Sequence, residues 1–295
     1  MDKKRPSLFG FLNIYKPAGM TSHDVVARIR KVTGIKQIGH TGTLDPFATG
    51  VLPVCIGKAT RLIEYLEDDK EYLATIQFGK NTDTYDLEGK VIEVFERKIT
   101  KSELESALKP FKGEISQFPP IYSAIKVHGK KLYDYARAGQ KVEVKPRTVY
   151  VSKIELISFD EYAQRAVILI ACSKGTYIRS IAYDLGKSMQ CGAFLTALER
   201  TKAGCFSVEK SVKLDILEDL STVNRFLINP LDVMKLPVID LSQQDVIRVS
   251  HGMAIECKNI NHMLDIVFLV YGGRIYAIGK IEQNKILVKK LLEVL

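Results

Sequence analysis

Residues 1–235 read as a large, strand-rich domain of mixed α/β (α+β) class, and residues 236–295 as a small β-rich module. Three observations lead there. At 295 residues the chain is long for one ordinary domain, and a composition of 46% hydrophobic and 26% charged residues belongs to a folded protein with a well-buried core. Segments of alternating or continuous apolar character outnumber those with a helical repeat. Two proline steps, Asn229-Pro230 and Leu236-Pro237, punctuate the chain within a few residues and read as a linker.

In chain order, Phe9 to Tyr15 reads as a strand ending at Lys16-Pro17-Ala18-Gly19, a turn made from proline's fixed φ and glycine's freedom. Thr21-Ser22-His23-Asp24 offers a capping-box start. Val25, Val26, Ile29 and Val32 then recur at helical spacing, and Gly34 supplies the stop. Arg28, Arg30 and Lys31 read as the solvated face of that helix. Val51 to Ile56, Tyr72 to Phe78 and Lys90 to Phe95 are strands. A helix over Ser102 to Leu108 is capped by Thr100 or Ser102, with Ser102 and Glu105 at capping-box spacing. Thr148 to Phe159 and Ala166 to Cys172 form a strand pair, the second apolar enough to lie centrally in a sheet.

A helix follows over Tyr177 to Met189, and Ala193 to Arg200 and Cys205 to Val208 complete the large domain. Arg179 falls in the first turn of that helix, where the dipole disfavours a cation unless a carboxylate answers it, so a partner elsewhere in the fold is expected. In the module, Ile266 to Tyr271, Arg274 to Ile281 and Lys285 to Lys289 are strands, with Gly272-Gly273 turning a hairpin. About 60 residues is near the lower limit for independent stability, so the module is expected to lean on the large domain.

Composition narrows the function classes. The net charge of +9, from 43 basic and 34 acidic residues, suits a polyanionic partner or a merely basic surface. The apolar runs Val167 to Cys172 and Ile266 to Tyr271 are far short of the roughly 18 residues that span a bilayer. Leu8 to Leu12 is too short for a signal-peptide core, so a soluble cytoplasmic protein without a membrane partner is expected. Cys55, Cys172, Cys191, Cys205 and Cys257 are scattered, which supports neither a metal site nor a disulfide framework. Gly57-Lys58-Ala59-Thr60 fails the phosphate-loop pattern, because Leu52 stands where a glycine is required.

Two stretches carry chemistry. Gly39-His40-Thr41-Gly42-Thr43-Leu44-Asp45-Pro46-Phe47-Ala48-Thr49-Gly50 places a carboxylate, an imidazole and three threonines between two apolar segments. Gly39, Gly42 and Gly50 can take positive φ or admit a close backbone, and Pro46 pushes Asp45 out of the α region. On spacing alone, Asp45-Pro46 is a turn whose carboxylate bonds a nearby amide, and His40 an ordinary loop histidine. The second stretch is basic: Lys126, Lys130, Lys131, Arg137, Lys141, Lys145 and Arg147 stand against Asp134 and Glu143, with Tyr133 and Tyr135 among them. Such a segment suits RNA, whose phosphates pair with cations and whose bases stack on rings, or equally a charged helix whose tyrosines cover the core.

The string from Gly39 to Leu52 resembles the signature loop of the TruB family of tRNA pseudouridine-55 synthases, and places that family's nucleophilic aspartate on Asp45. The likeness covers most of the chain. Gly10 to Ser22 is similar to the family's opening strand and turn, and Lys70-Glu71-Tyr72 to the segment with its active-site tyrosine. Pro120 to Lys126 and Gly129 to Tyr133 resemble its RNA-gripping insertion, about residues 115–150. Cys172 to Ser180 resembles the motif with its active-site arginine, here Arg179, and Cys191 to Leu198 its last active-site element. The C-terminal module fits a shortened PUA-like domain only loosely.

The resemblance implies a pseudouridine synthase fold around a mostly antiparallel sheet, and isomerisation of uridine-55 in the T-arm stem-loop of tRNA without a cofactor. It implies Asp45 as nucleophile, Arg179 as its partner and Tyr72 for stacking and proton transfer. His40 would fill the space left by a flipped base, Tyr177 and Leu198 would line the base pocket, and Lys126, Lys130, Lys131 and Arg137 would hold RNA. A monomer with no obligatory protein partner suffices. The rivals are a non-catalytic tRNA-binding or tRNA-folding protein on the same scaffold, and a guide-RNA-dependent pseudouridine synthase. A carboxylate near phosphates speaks against the first.

Overall fold

The structure, a computed structural model, describes residues 8–123, 125–127, 129–140, 142–256 and 265–292. Its main elements are β1 (Gly10–Lys16), α1 (Ser22–Thr33), β2 (Ile38–His40), β3 (Thr49–Ile56), β4 (Lys70–Phe78), α2 (Lys101–Leu108), β5 (Gly113–Gln117), β6 (Arg147–Asp160), β7 (Arg165–Cys172), α3 (Ile178–Ser188) and β8 (Ala193–Ala203). Among the described residues they build a ten-stranded sheet in the order Val212–Lys213, β1, β3, β8, β4, β7, β6, β5. Beside that path, β2 pairs with β3 and Phe206–Ser207 with β8. Only β1 with Val212–Lys213 and β8 with β3 run parallel; every other pair is antiparallel. The strand β7 is flanked by β4 and β6, the central place its apolar run predicts.

The period of two in β1 and β3 decides what each face of the sheet buries. Leu12, Ile14, Leu52, Val54 and Ile56 point to the face covered by α1, α2 and α3, where Val25, Ile29, Leu104, Ile181 and Leu185 meet them. Phe11, Val51 and Cys55 point the other way and pack with Leu62, Phe206, Phe268, Ile275 and Ile278. The last three belong to a five-stranded sheet formed by Val238–Asp240, Ile255–Glu256, Ile266–Tyr271, Arg274–Glu282 and Lys285–Leu291. The C-terminal β domain therefore shares its apolar face with the large sheet. Each such side chain contributes roughly 1.5–3 kcal/mol when fully buried, which a small module lacks alone. Its hairpin turns at Gly272 and Gly273, both at positive φ (55° and 74°).

Helix starts follow the capping chemistry. The Thr21 side chain accepts from the Asp24 amide while the Asp24 carboxylate accepts from the Thr21 amide, and Gly34 closes α1 in the left-handed region. For α2 the capping box is Thr100 with Glu103, not Ser102 with Glu105, because the helix begins one residue earlier than its apolar period suggests. Arg28 and Lys31 are exposed as expected, whereas Arg30 is half-buried: its Nη2 donates to the Ile38 carbonyl at 2.8 Å, joining α1 to β2. Asn229-Pro230 is not linker either. Asn229 caps a short helix, Pro230–Val233, with proline at the position where its missing N–H costs nothing.

Candidate active site

The loop between β2 and β3 is held from both sides. Leu44 is buried, and its amide donates to Ser22 Oγ at 2.9 Å, seating the loop on the start of α1. Ala48 N–H donates to the Asp45 carbonyl at 3.1 Å, closing a turn with Pro46 in its favoured second place. The turn expected from Asp45-Pro46 is therefore present, and it leaves the carboxylate free to face the cleft. The Pro46 carbonyl accepts from Gly19 N at 2.9 Å and from Lys16 Nζ at 3.1 Å. Of the three glycines only Gly50 has positive φ, at 98°, and a Cβ there would lie 2.3 Å from the Arg200 carbonyl. Gly39 and Gly42 have ordinary φ; Gly39 is a strand residue, and Gly42 sits where a Cβ would be 3.7 Å from both Arg200 Nη1 and Lys70 Cε.

Arg179 answers the expectation of a partner. Tyr177 is the N-cap of α3 without a side-chain cap, and its backbone is fixed instead by Gln117, whose Nε2 donates to Tyr177 O (2.9 Å) and whose Oε1 accepts from Tyr177 N (2.8 Å). This sets the first turn of α3 against the end of β5. From there Arg179 Nη2 donates to Asp45 Oδ1 at 3.1 Å, and Nε lies 3.0 Å from Oδ2 as an ion contact rather than an aligned hydrogen bond. Its Nη1 reaches Asp86 Oδ2 and the Thr84 carbonyl, both at 3.3 Å, and Nη2 also donates to Tyr122 O at 3.1 Å. The Arg179 side chain is 6% exposed and that of Asp86 4%, whereas Asp45 keeps 31%. Asp45 is thus the acid offered to the cleft. Desolvation pushes its carboxyl above the ordinary value and the charge of Asp86 adds to the rise, while Arg179 pulls it back.

The cleft, of about 640 Å³, is lined by Asp45, Tyr72, Tyr177, Arg179 and Leu198, so five of the six residues expected at the reaction centre converge. Tyr72 is 8% exposed, and burial drives its phenol upward against the opposing charge of Arg200. Burial also raises the Tyr177 phenol. His40 is not in the lining. It lies half-buried in β2, one residue before Thr41, its Nδ1 without a hydrogen-bond partner, and burial lowers its pKa.

The basic segment contributes a small hairpin, Lys126–Val127 with Lys130–Lys131, and a six-residue helix, Leu132–Arg137. Tyr133 lines the cleft, and Lys130 Nζ stands 5.8 Å from the centre of the Tyr135 ring. The side chains of Lys126, Lys131 and Arg137, with Lys141 and Cys257, lie outside the described residues.

Three charged residues of the site escape a reading of the sequence. Asp86 closes the polar stretch Asn81 to Asp86, whose composition reads as a turn, yet Tyr85 beside it is held at a φ of 64° and stacks on Tyr183 at 4.1 Å. Lys16 is fully buried, its Nζ donating to Pro17 O (2.9 Å), Met20 O (2.6 Å) and Pro46 O (3.1 Å), and burial lowers its pKa to about 8. Arg200, 1% exposed, lines the cleft from β8. The available signal is parity: Lys16 and Arg200 occupy inward positions of apolar strands. Among the described residues no three His, Cys, Asp or Glu side chains group as metal ligands, and no helix is long and apolar enough to cross a membrane.

Residues 30–178 match the TruB family pseudouridylate synthase N-terminal domain, and residues 179–237 match the tRNA pseudouridylate synthase B C-terminal domain. A Carboxydothermus hydrogenoformans protein named tRNA pseudouridine synthase B is 45% identical over 278 residues, covering 92% of this chain and 94% of that protein. One of the same name from Caldanaerobacter subterraneus subsp. tengcongensis is 42% identical over 290 residues, covering 97% and 99%. Among solved structures, a chain of a Cbf5-Nop10-Gar1 complex superposes with a TM-score of 0.72 at 27% identity, over 99% of this chain and 88% of that one. With both domain models matching in tandem and such relatives along nearly the whole length, the chain belongs to the TruB family of pseudouridylate synthases.

Proposed function

We propose that this protein isomerises uridine-55 in the T-loop of tRNA to pseudouridine, with Asp45 as nucleophile on an extruded nucleoside. The observation that carries the reading is the Asp45 carboxylate, partly open to the cleft and met by two nitrogens of a buried Arg179. The N1–C1′ bond must break, the uracil turn, and C5 join C1′, with one proton leaving C5 and one reaching N1. Nothing is oxidised and no group is exchanged with a second molecule, so side chains suffice. An ionised Asp45 supplies the charge or the attack and can leave again. Arg179 keeps it aimed. Tyr72 offers a ring for stacking and a hydroxyl for proton movement.

A uridine inside a structured loop is out of reach of this floor, so the base is flipped; His40 fills the space behind it, and Tyr177 and Leu198 hold it. Lys126, Lys130, Lys131 and Arg137 neutralise phosphates from the insertion at about residues 115–150. Residues 1–235 act as the catalytic domain and 236–295 as a PUA-like RNA-binding domain of a cytoplasmic monomer. The test is incubation of the purified chain alone with bare tRNA transcript, followed by mapping of carbodiimide-stable adducts. Product at uridine-55 is expected. Binding without product favours the non-catalytic reading, and product only on addition of a guide RNA and protein subunits favours the guide-dependent one.

A further inference from the structure

Arg200 is the bulkiest of the fully buried side chains among the described residues, and it forms no ion pair there. A guanidinium withdrawn from water without a counter-charge is costly, so its hydrogen bonds and its place in the sheet need a reason. Nε donates to Val51 O at 2.7 Å and Nη2 to Gly42 O at 3.1 Å, so one side chain ties together the two ends of the loop that presents Asp45. In the register of β8 with β4 Arg200 stands directly opposite Tyr72, and in that of β8 with β3 opposite Gly50. Directly opposed residues send their side chains to one face, which brings the guanidinium beside the phenol at the cleft. Gly50 allows the loop to close over it: a Cβ there would strike the Arg200 backbone.

We propose that Arg200 is a positioning residue for the isomerisation, clamping the Asp45 loop at both ends and holding a fixed positive charge against the Tyr72 hydroxyl. The proposal rests on the function read from the same cleft. Arginine suits both tasks. Its planar fork sends donors in two directions at once, and its delocalised, weakly hydrated charge is easier to bury than an ammonium. The charge opposes the rise that burial, with the Cys172 thiol and the Asp45 carboxylate that also face it, imposes on the Tyr72 phenol, so the hydroxyl gives up and takes back a proton more readily.

The test uses the full chain with Arg200→Met, which keeps bulk and removes charge, and Arg200→Lys, which keeps charge and loses the fork. Amide hydrogen exchange of the free protein reads the clamp, and single-turnover pseudouridine formation across pH reads the field at Tyr72. For Arg200→Met, exchange over residues 42–51 is expected to quicken about tenfold while β4 and β7 stay protected. The single-turnover rate is expected to fall about 100-fold with tRNA affinity within about threefold, and the basic limb of its pH profile to move upward. Arg200→Lys is expected to recover part of the rate and to return the basic limb toward the wild-type position.

Exchange and rate within about threefold of wild type in both variants overturn the proposal. So does an even loss of protection across the whole large domain with an unmoved pH profile, which marks a merely structural residue. If Arg200→Met does not fold, Arg200→Lys decides: wild-type exchange over 42–51 and a wild-type profile overturn the proposal, and selective loosening of that loop supports it. An inactive wild-type protein sinks the function reading instead, and the exchange measurement still judges the clamp.

Discussion

Asp45 and Asp86 share one guanidinium: Arg179 sets Nε 3.0 Å from Asp45 Oδ2 and Nη2 3.1 Å from Asp45 Oδ1, and turns Nη1 to Asp86 Oδ2 at 3.3 Å. The two acids differ in what else they face. Asp86 also accepts from Thr84 Oγ1 at 2.5 Å and from the Glu88 amide at 3.0 Å, within the fold, whereas Asp45 keeps an open side toward the cleft. Asp86 anchors Arg179, and Arg179 aims Asp45.

Replacing Asp45 by Asn keeps size and removes charge. Product formation is expected to disappear, while tRNA affinity stays within about tenfold, or ~1.4 kcal/mol, because the acid makes no attractive contact with phosphates. Filter binding beside an adduct assay checks both, and undiminished product from Asp45→Asn contradicts the nucleophile assignment.

Asp86→Asn is expected to lower stability by about 1.5–3 kcal/mol, the range for a buried hydrogen bond to a charged group. Arg179 retains Asp45, so the larger penalty of a wholly stranded charge does not arise. Product formation is expected to fall with it, since the guanidinium loses the support that fixes its direction. Denaturant unfolding and single-turnover assays read the two effects, and a variant equal to wild type in both shows that Arg179 is held without Asp86.

Lys16 gives a pH dependence of known sign. Its pKa is 10.5 unperturbed and about 8 in the fold, so between those values the unfolded chain binds more protons and stability rises with pH. Relative to Lys16→Met, wild-type stability is expected to be flat below pH 8 and to gain about 2–3 kcal/mol by pH 10. Urea unfolding of both proteins from pH 7 to 10 measures the difference, and a wild-type stability that falls relative to the variant over this window contradicts a buried amine of lowered pKa.

Lys130 and Lys131 form the second strand of the insertion's hairpin. Their joint replacement by Ala is expected to weaken tRNA binding and to reduce the slope of log affinity against log salt by about 0.7–0.9 for each phosphate that is no longer neutralised. Binding isotherms at several salt concentrations test this. A weaker affinity with an unchanged slope excludes direct pairing with phosphates.

Local features of the fold are legible in the chain because they depend on neighbours in sequence. The capping box at Thr21 and Asp24, the stop at Gly34, the hairpin at Gly272-Gly273 and the apolar periods of the strands are of this kind. The same locality misleads at α2, where two Ser/Thr-to-Glu spacings compete and only the Thr100 pair starts a helix, and at Asn229-Pro230, where a turn signal opens a helix that packs. Arg179 is legible as a cation in need of an acid, since its place in the first turn of α3 opposes the dipole.

The sequence by itself determines the strand and helix periods, the glycine-flanked loop around Asp45 and the demand of Arg179 for a counter-charge. Which acid meets it, 134 residues away, is decided only when α3 docks beside that loop, together with the second acid at Asp86 and the cations of Lys16 and Arg200 beneath. The reason is physical. Charge in a buried place is tolerated only where partners converge, and the carbonyls and carboxylates that answer Arg179 and Arg200 come mostly from loops and turns far away in the chain, a relation that no local spacing records.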